Sequence, residues 1–511
     1  MTTNDTRTMN QSRDKFTDDI EKTSSCSHAD PPPPNLATIP APWYRFVSSK
    51  LATLGVETHG VSPVPHHQQT DSQFINLFFL WLSANTGILT FSTGALGPIA
   101  YGLSLRDSCL VILFINLIGT IIPAYFSTFG PITGLRQMIF ARYSFGYIGG
   151  AIISVVNIVV FMGFLILNSI IGGQTLASAS SGNLSPSVGI VIISLISLLI
   201  LSVYEKYAWI PITTVFVICT GVGGKHLTAV PPTVPATATT VLSFAATVAG
   251  FVISWACLAS DYTIYLPPTV SKTKVFVYAY LGFFLPLVLL QVLGAAFMTS
   301  SFAVPEWADG YSANGIAGLL AASLKPVGRF GKFCMVVLSL SATTPCAPTM
   351  YSFGLSFQCV APIFAVVPRY IFSIGATAVL IPVAIVGSTH FQTALTNFLS
   401  LVGYYAAPFS AVLIVEHIVF RRSSGAAYDR SAWMSLRALP TGWAGVLSFA
   451  MSFALIVPSM DQVWFVGPIA KKGTGDIGFE VGFFSTVLFY FILRSIDLKF
   501  ISHGRLGGTP S

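Results

Sequence analysis

The chain of 511 residues is 53% hydrophobic and only 9% charged, against roughly 25% charged in soluble domains, which excludes a water-soluble globule and predicts a lipid-embedded chain. Its excess of +7 is scattered through loops instead of gathered in a patch, which argues against a nucleic-acid partner. Seven cysteines, an odd number without CxxC pairing and mostly inside apolar segments, read as reduced small hydrophobes and not as a disulfide framework.

Residues 1–72 are polar, carry mixed charge and hold the run Pro31–Pro34, so a disordered cytosolic tail without a signal peptide is expected there. From 73 to 494 unbroken apolar stretches of about 20 residues recur. They fall near 74–100, 108–129, 147–175, 187–203, 207–224, 240–265, 275–303, 333–357, 367–388, 392–420, 441–459 and 476–494. The pattern predicts an all-α integral membrane protein of about twelve transmembrane helices. Segment 304–332 is polar for this chain and contains the short amphipathic stretch Ile316–Leu324. That suits an external re-entrant or interfacial element and not a span. Residues 495–511, with Lys499 and Arg505, are expected to form a cytosolic carboxyl-terminal tail.

With the amino terminus inside, the inward connections hold ten basic residues and the outward ones seven, while the tails add nine, 26 in all. The positive-inside bias therefore places both termini in the cytosol. Two runs in corresponding positions are interrupted by small or polar residues, Leu82-Ser83-Ala84-Asn85-Thr86-Gly87 in the first and Trp255-Ala256-Cys257-Leu258-Ala259-Ser260-Asp261 in the sixth. Matching interruptions point to an inverted repeat whose unwound backbone lines a midplane site, because free backbone groups at that depth survive only in a polar cavity. Close helix packing at small residues is the alternative.

The stretch Gly130-Pro131-Ile132-Thr133-Gly134-Leu135-Arg136-Gln137-Met138, continuing to Arg142-Tyr143-Ser144-Phe145-Gly146, resembles the signature loop of fungal purine-cytosine permeases in the nucleobase-cation symporter family. Further passages are similar to the same family: Gly221-Val222-Gly223-Gly224-Lys225-His226, Ala259-Ser260-Asp261-Tyr262-Thr263, Glu416-His417 before Arg421-Arg422, and Val463-Trp464 through Gly467-Pro468-Ile469-Ala470. The resemblance runs from about 43 to 500. It implies ten helices in a 5+5 inverted repeat (LeuT-like) plus two carboxyl-terminal helices, with substrate between the first, third, sixth, eighth and tenth. Residence in the plasma membrane of a fungus follows from the resemblance alone.

A nucleobase has two flat faces and a hydrogen-bonding edge, so its site calls for aromatic stacking and an amide. Phe164 and Asn168 are four apart and share a helix face, and the family places an aromatic and an amide at these positions. Core packing is the competing reading for Phe164; Asn168 facing lipid would go unsatisfied. Trp255, before the sixth interruption, is where the resemblance places the second stacking ring. Ser83 offers a hydroxyl at the first interruption, with Asn85 as a weaker neighbour. In helix eight relatives typically read Ala-Asn-Asn-Ile-Pro-Asn, where this chain reads Thr344-Pro345-Cys346-Ala347-Pro348-Thr349. Pro348 is kept and Thr349 is taken as substrate-facing, but three amides are gone, which changes the expected discrimination.

For cation coupling, Ser339 and Thr343 (with Ser341 and Thr344) are candidate hydroxyls, against the alternative that they bond their own helix carbonyls. Asp261 and Glu416 are the candidate proton carriers, since ionisable groups at depth tend to be functional. Helix-end stabilisation competes for Asp261, and an interfacial position for Glu416. Arg136 and Arg142, in the loop between helices two and three, are expected to be structural or gating, as is Lys225 outside; positive-inside anchoring and plain solvation are the alternatives. No metal or cofactor is implied beyond a coupling proton or sodium ion. The reading is a proton symporter importing a nucleobase such as cytosine, adenine, guanine or hypoxanthine, or a related heterocycle. The alternatives are a carrier of a vitamin B6-like or secondary-metabolite heterocycle and a non-transporting receptor. The absence of HExxH, GxSxG and P-loop motifs speaks against an enzyme.

Overall fold

The computed structural model describes residues 60–180, 182–199, 207–228 and 235–501. Most of the expected amino-terminal tail, residues 502–511 of the carboxyl-terminal one, and Cys26 lie outside the described residues. Helix occupies each apolar run read from the sequence. The first run is split into α1 (Ile75–Asn85) and α2 (Ile88–Tyr101). α3 (Leu105–Gly119), α4 (Ile121–Ser127) and α5 (Phe129–Thr133) follow end to end, then α6 (Gln137–Ala179), α7 (Pro186–Leu199), α8 (Trp209–Gly223) and α9 (Ala238–Ile253). The second part comprises α10 (Lys272–Ser301), α11 (Pro305–Leu324), α12 (Gly328–Leu340), α13 (Thr343–Val360), α14 (Pro362–Ala365), α15 (Arg369–Gly387) and α16 (Phe391–Val415). α17 (Trp443–Ser459) and α18 (Gly478–Ile496) are joined through a small antiparallel hairpin, β1 (Asp461–Gln462) and β2 (Phe465–Val466).

Among the described residues seven helical runs are long and apolar enough to cross a membrane, or eight with the bent α1–α2 pair taken as one. α7, α8 and α17 are shorter apolar helices. α6 shows how these helices are solvated. Ile148, Ile152, Val155 and Val159 form an outward stripe 46–67% exposed, while Ser154, Asn157 and Asn168 are buried inside. An apolar stripe outside and polar groups inside invert the soluble pattern, as a lipid surround requires.

Glycines set how closely the helices approach. A Cβ on Gly294 of α10 would lie 1.9 Å from Phe91 O of α2, and one on Gly250 of α9 would lie 1.9 Å from Leu399 O of α16. Only a hydrogen fits at such crossings.

The stretch after α5 and the end of the amino-terminal tail differ from the expectation. The segment expected as a loop between helices two and three is helical from Gln137 onward, so Arg142 sits inside α6. The loop-like composition there marks a kink instead: Gly146 has φ +70°, and a Cβ on it would meet Pro440 O and Thr441 O at 2.7 Å. Segment 304–332 folds as a helical V. α11 reverses at Asn314 and Gly315 (φ +57°), and Gly310 approaches Gly318 across it, where a Cβ would be 2.6 Å from the Gly318 carbonyl. The end of the expected tail is packed against the bundle. Val61 and Val64 are buried, Val64 N–H donates to Gly134 O at 2.9 Å, and Gln69 Nε2 donates to Ile264 O at 2.8 Å.

Candidate binding site between interrupted helices

The site starts from backbone that leaves helical geometry. α1 and α2 meet at 55°. Thr86 N–H still bonds back to Leu82 O at 3.0 Å, but Gly87 is fully extended and Ile88 N–H turns to Ser341 Oγ at 3.0 Å. Gly87 is the residue that lets this happen, because a Cβ there would lie 3.1 Å from Ser341 O. On the other side α9 ends at Ile253 and the chain continues in two short 3-10 turns, Ser254–Cys257 and Ala259–Tyr262. Both interruptions fall where the small and polar residues predicted them.

Between them lies a cavity. Ala84, Leu89 and Thr90 line it from the first interruption, Phe251 of α9 with Ser254, Trp255 and Leu258 from the second. α6 contributes Phe161, Phe164 and Asn168, and α13 contributes Pro345 and Thr349. No ionisable side chain is among the lining residues. The rings are braced from behind: Phe164 packs edge-on against Phe398 (5.0 Å between centroids) and Phe251 (6.1 Å), and Trp255 edge-on against Trp81 (5.6 Å). Gly163 makes room for Phe398, whose ring would be 2.1 Å from a Cβ there. Asn168 is buried. Its Nδ2 donates to Phe164 O at 2.9 Å, and its Oδ1 has no partner among the described residues. A cavity with flat apolar walls and one unsatisfied carbonyl oxygen suits a small flat ligand that carries an N–H.

The structure thus brings Phe164, Asn168, Trp255 and Thr349 together on one cavity. Ser83 and Pro348 are buried beside it but are not among its lining residues; Ser83 Oγ lacks a partner among the described residues. Thr90, Ser254, Phe161 and Phe251 were not singled out by sequence. The signal for Phe161 was present, three residues before Phe164 and seven before Asn168, on the same helix face.

Ser339 and Thr343 donate their hydroxyls to Val336 O and Leu340 O, each at 2.7 Å. Ser341 and Thr344 do the same toward Leu338 O and Ser341 O, and Ser341 also receives Ile88 N–H.

Four of the charged candidates, Asp261, Arg136, Arg142 and Glu416, are buried. Asp261 is buried, its Oδ1 accepting from Gln137 N–H at 2.8 Å and its Oδ2 from Ser352 Oγ at 2.7 Å. It therefore caps the start of α6 and ties the second interruption to α13. Arg136, also buried, donates to Asp261 O at 2.9 Å and to the Tyr351 hydroxyl. Arg142 donates to Cys359 O and Trp433 O, both at 2.7 Å. Glu416 is enclosed by Arg421 (2.9 Å), Arg494 (3.1 Å) and the Tyr490 hydroxyl (2.8 Å). Lys225 is exposed in the turn after α8. Among the described residues no group of three or more His, Cys, Asp or Glu could hold a metal ion.

Residues 63–482 match the family described as permease for cytosine/purines, uracil, thiamine, allantoin. The chain is 37% identical to purine-cytosine permease fcyB of Emericella nidulans over 469 residues, covering 89% of this chain and 92% of that protein. It is 35% identical to purine-cytosine permease FCY21 of Saccharomyces cerevisiae (89% of each), and 28% identical to vitamin B6 transporter TPN1 of the same yeast (87% of each). Its fold is similar to that of Mhp1, a nucleobase-cation-symport-1 family transporter in a closed conformation with bromovinylhydantoin bound (TM-score 0.66, 15% identity, 86% of this chain and 96% of that one). The chain therefore belongs to the cytosine/purine, uracil, thiamine and allantoin permease family, a family of membrane transporters and not of enzymes.

Proposed function

We propose that this protein is a secondary transporter importing a neutral nucleobase-like heterocycle together with a proton, through twelve helices in a 5+5 inverted repeat plus two, with both termini cytosolic in the plasma membrane. The observation that carries the reading is the cavity between two interrupted helices, walled by Phe164 and Trp255 and holding the unpartnered Asn168 Oδ1. Half-helices that end at a bound solute are how transporters place polar backbone at membrane depth. The coupling role falls in this reading to Asp261, whose buried carboxylate holds α6 to α13; sodium is the alternative ion.

The test is uptake of labelled bases by cells lacking their own base permeases. Saturable uptake that collapses with a protonophore and persists without sodium is expected. Asn168→Ala and Trp255→Ala should abolish it while the protein still reaches the plasma membrane. Unchanged kinetics in both variants would refute the site.

The replacement of three family amides by Pro345, Cys346 and Thr349 favours a second reading, a vitamin B6-like ring. Pyridoxine displacing labelled base at lower concentration than any base in the panel would establish it.

A further inference from the structure

Interruption of the first span leaves α2 with a bare amino-terminal turn inside the bundle. A helix cannot satisfy its own first N–H groups. Ile88 N–H is taken by Ser341 Oγ at 3.0 Å and Phe91 N–H by Gly87 O at 3.2 Å. Between them, the N–H groups of Leu89 and Thr90 meet no acceptor among the described residues, and both residues line the cavity. The helix dipole adds partial positive charge at the same place.

Asn168 supplies the opposite polarity. Its Nδ2 faces Phe164 O, a group that only accepts, so chemistry fixes which way the amide points. What it leaves for a ligand is the acceptor Oδ1, with the second Nδ2 hydrogen beside it, in a residue only 1% exposed. The hydroxyls of Ser254 and Thr349 have already donated, to Phe251 O and Pro345 O at 2.7 Å each. The cavity therefore offers two backbone donors at the positive helix end, the Asn168 carbonyl oxygen with the second amide hydrogen on another wall, and the hydroxyls of Thr90, Ser254 and Thr349.

We propose that the preferred solute is a lactam, a flat neutral heterocycle bearing –NH–C(=O)–. Its carbonyl oxygen accepts from Leu89 and Thr90 N–H, and its ring N–H donates to Asn168 Oδ1. The inference rests on the transporter reading of the same cavity. An exocyclic amine in place of the carbonyl would set N–H against N–H at the positive helix end. Turning that amine to Asn168 instead leaves the Leu89 and Thr90 N–H groups facing no carbonyl oxygen. A site that leaves its polar groups unpaired discriminates by on the order of tenfold or more.

Matched purine pairs that differ only in this group give the test: hypoxanthine against adenine, and guanine against 2,6-diaminopurine, as competitors of labelled hypoxanthine uptake by the full-length protein. In each pair the oxo member is expected to inhibit at about a tenfold lower concentration. Thr90→Pro removes one of the two donors at a first-turn position where proline is tolerated, and in protein delivered to the membrane it should narrow that ratio. An amino partner competing as well or better in both pairs overturns the lactam preference and leaves the transporter reading intact. An unaltered ratio in delivered Thr90→Pro overturns the assignment to the α2 backbone. Absence of saturable uptake of every labelled base, including hypoxanthine, overturns the transporter reading and this inference with it.

Discussion

Phe164 shows what a single side chain does in this cavity. It is half-buried, held edge-on by Phe251 and Phe398, and so keeps one face for a ligand without further ordering. Base–aromatic stacking contributes about 1–3 kcal/mol per ring. Phe164→Ala should therefore raise the half-saturation concentration of uptake about tenfold, with Phe164→Trp close to wild type; equal affinity in the alanine variant would reduce Phe164 to packing. Residue type and four-residue spacing made Phe164 and Asn168 legible in the sequence. Ser83 and Pro348 were less so, because one step along a helix turns a side chain by about 100°. Ala84 thus lines the cavity while Ser83 beside it does not. The hydrogen bond that aims Asn168 Oδ1 is equally invisible before the backbone is placed.

At the scale of elements, two polar clusters fasten opposite ends of the helices that carry the cavity. At one end Asp261 caps α6 and holds Ser352 of α13. Asp261→Asn would turn an amide N–H toward one of these two donors. Transport should drop by about tenfold or more while Asp261→Glu retains a measurable part; wild-type kinetics in Asp261→Asn would remove the latch. At the other end the segment between α17 and α18 is strapped to α9 and α16. The buried Asp476 carboxylate accepts from the Tyr404 hydroxyl, from Gln462 Nε2 at 2.7 Å and from Gly478 N–H at 3.0 Å, and Asp476 N–H donates to Ser243 Oγ at 3.0 Å. Burial pushes the Asp476 carboxyl above its ordinary value, although those hydrogen bonds pull the other way. A carboxyl raised on folding stabilises fully below its unfolded value, about 3.9, and the contribution fades as pH rises through the folded one. The melting temperature of wild type relative to Asp476→Asn should accordingly climb as pH falls from neutral toward 4. A constant difference between the two proteins across that range would exclude a titrating strap. The sequence flagged Asp261 through its place at an interruption. It offered no sign of Asp476, whose partners come from segments up to 233 residues away.

For the molecule as a whole, the question is how the last two helices are joined to those that precede them. Apolar periodicity located α17 and α18 but carries no information on their docking, since an apolar side chain packs equally well against lipid or against another helix. The structure gives the answer in charge. Glu416, at the end of α16, receives Arg421, the Tyr490 hydroxyl and Arg494, the last two from α18. Arg494 also pairs with Asp497, which accepts from Trp443 Nε1 of α17 at 2.8 Å. Four of the six members of this chain of contacts, Glu416, Tyr490, Arg494 and Asp497, are buried. Removing one member of a buried ion cluster leaves its partners uncompensated and costs about 3–5 kcal/mol. Glu416→Gln should lower the melting temperature in detergent markedly while the proton dependence of uptake, per molecule delivered, stays as in wild type. Glu416→Gln combined with Arg494→Gln should recover part of the loss, because the orphaned cation goes with its partner. If instead Glu416→Gln left stability untouched and made uptake insensitive to a protonophore, the carboxylate would be handling the coupled proton and the cluster would not be what docks α18.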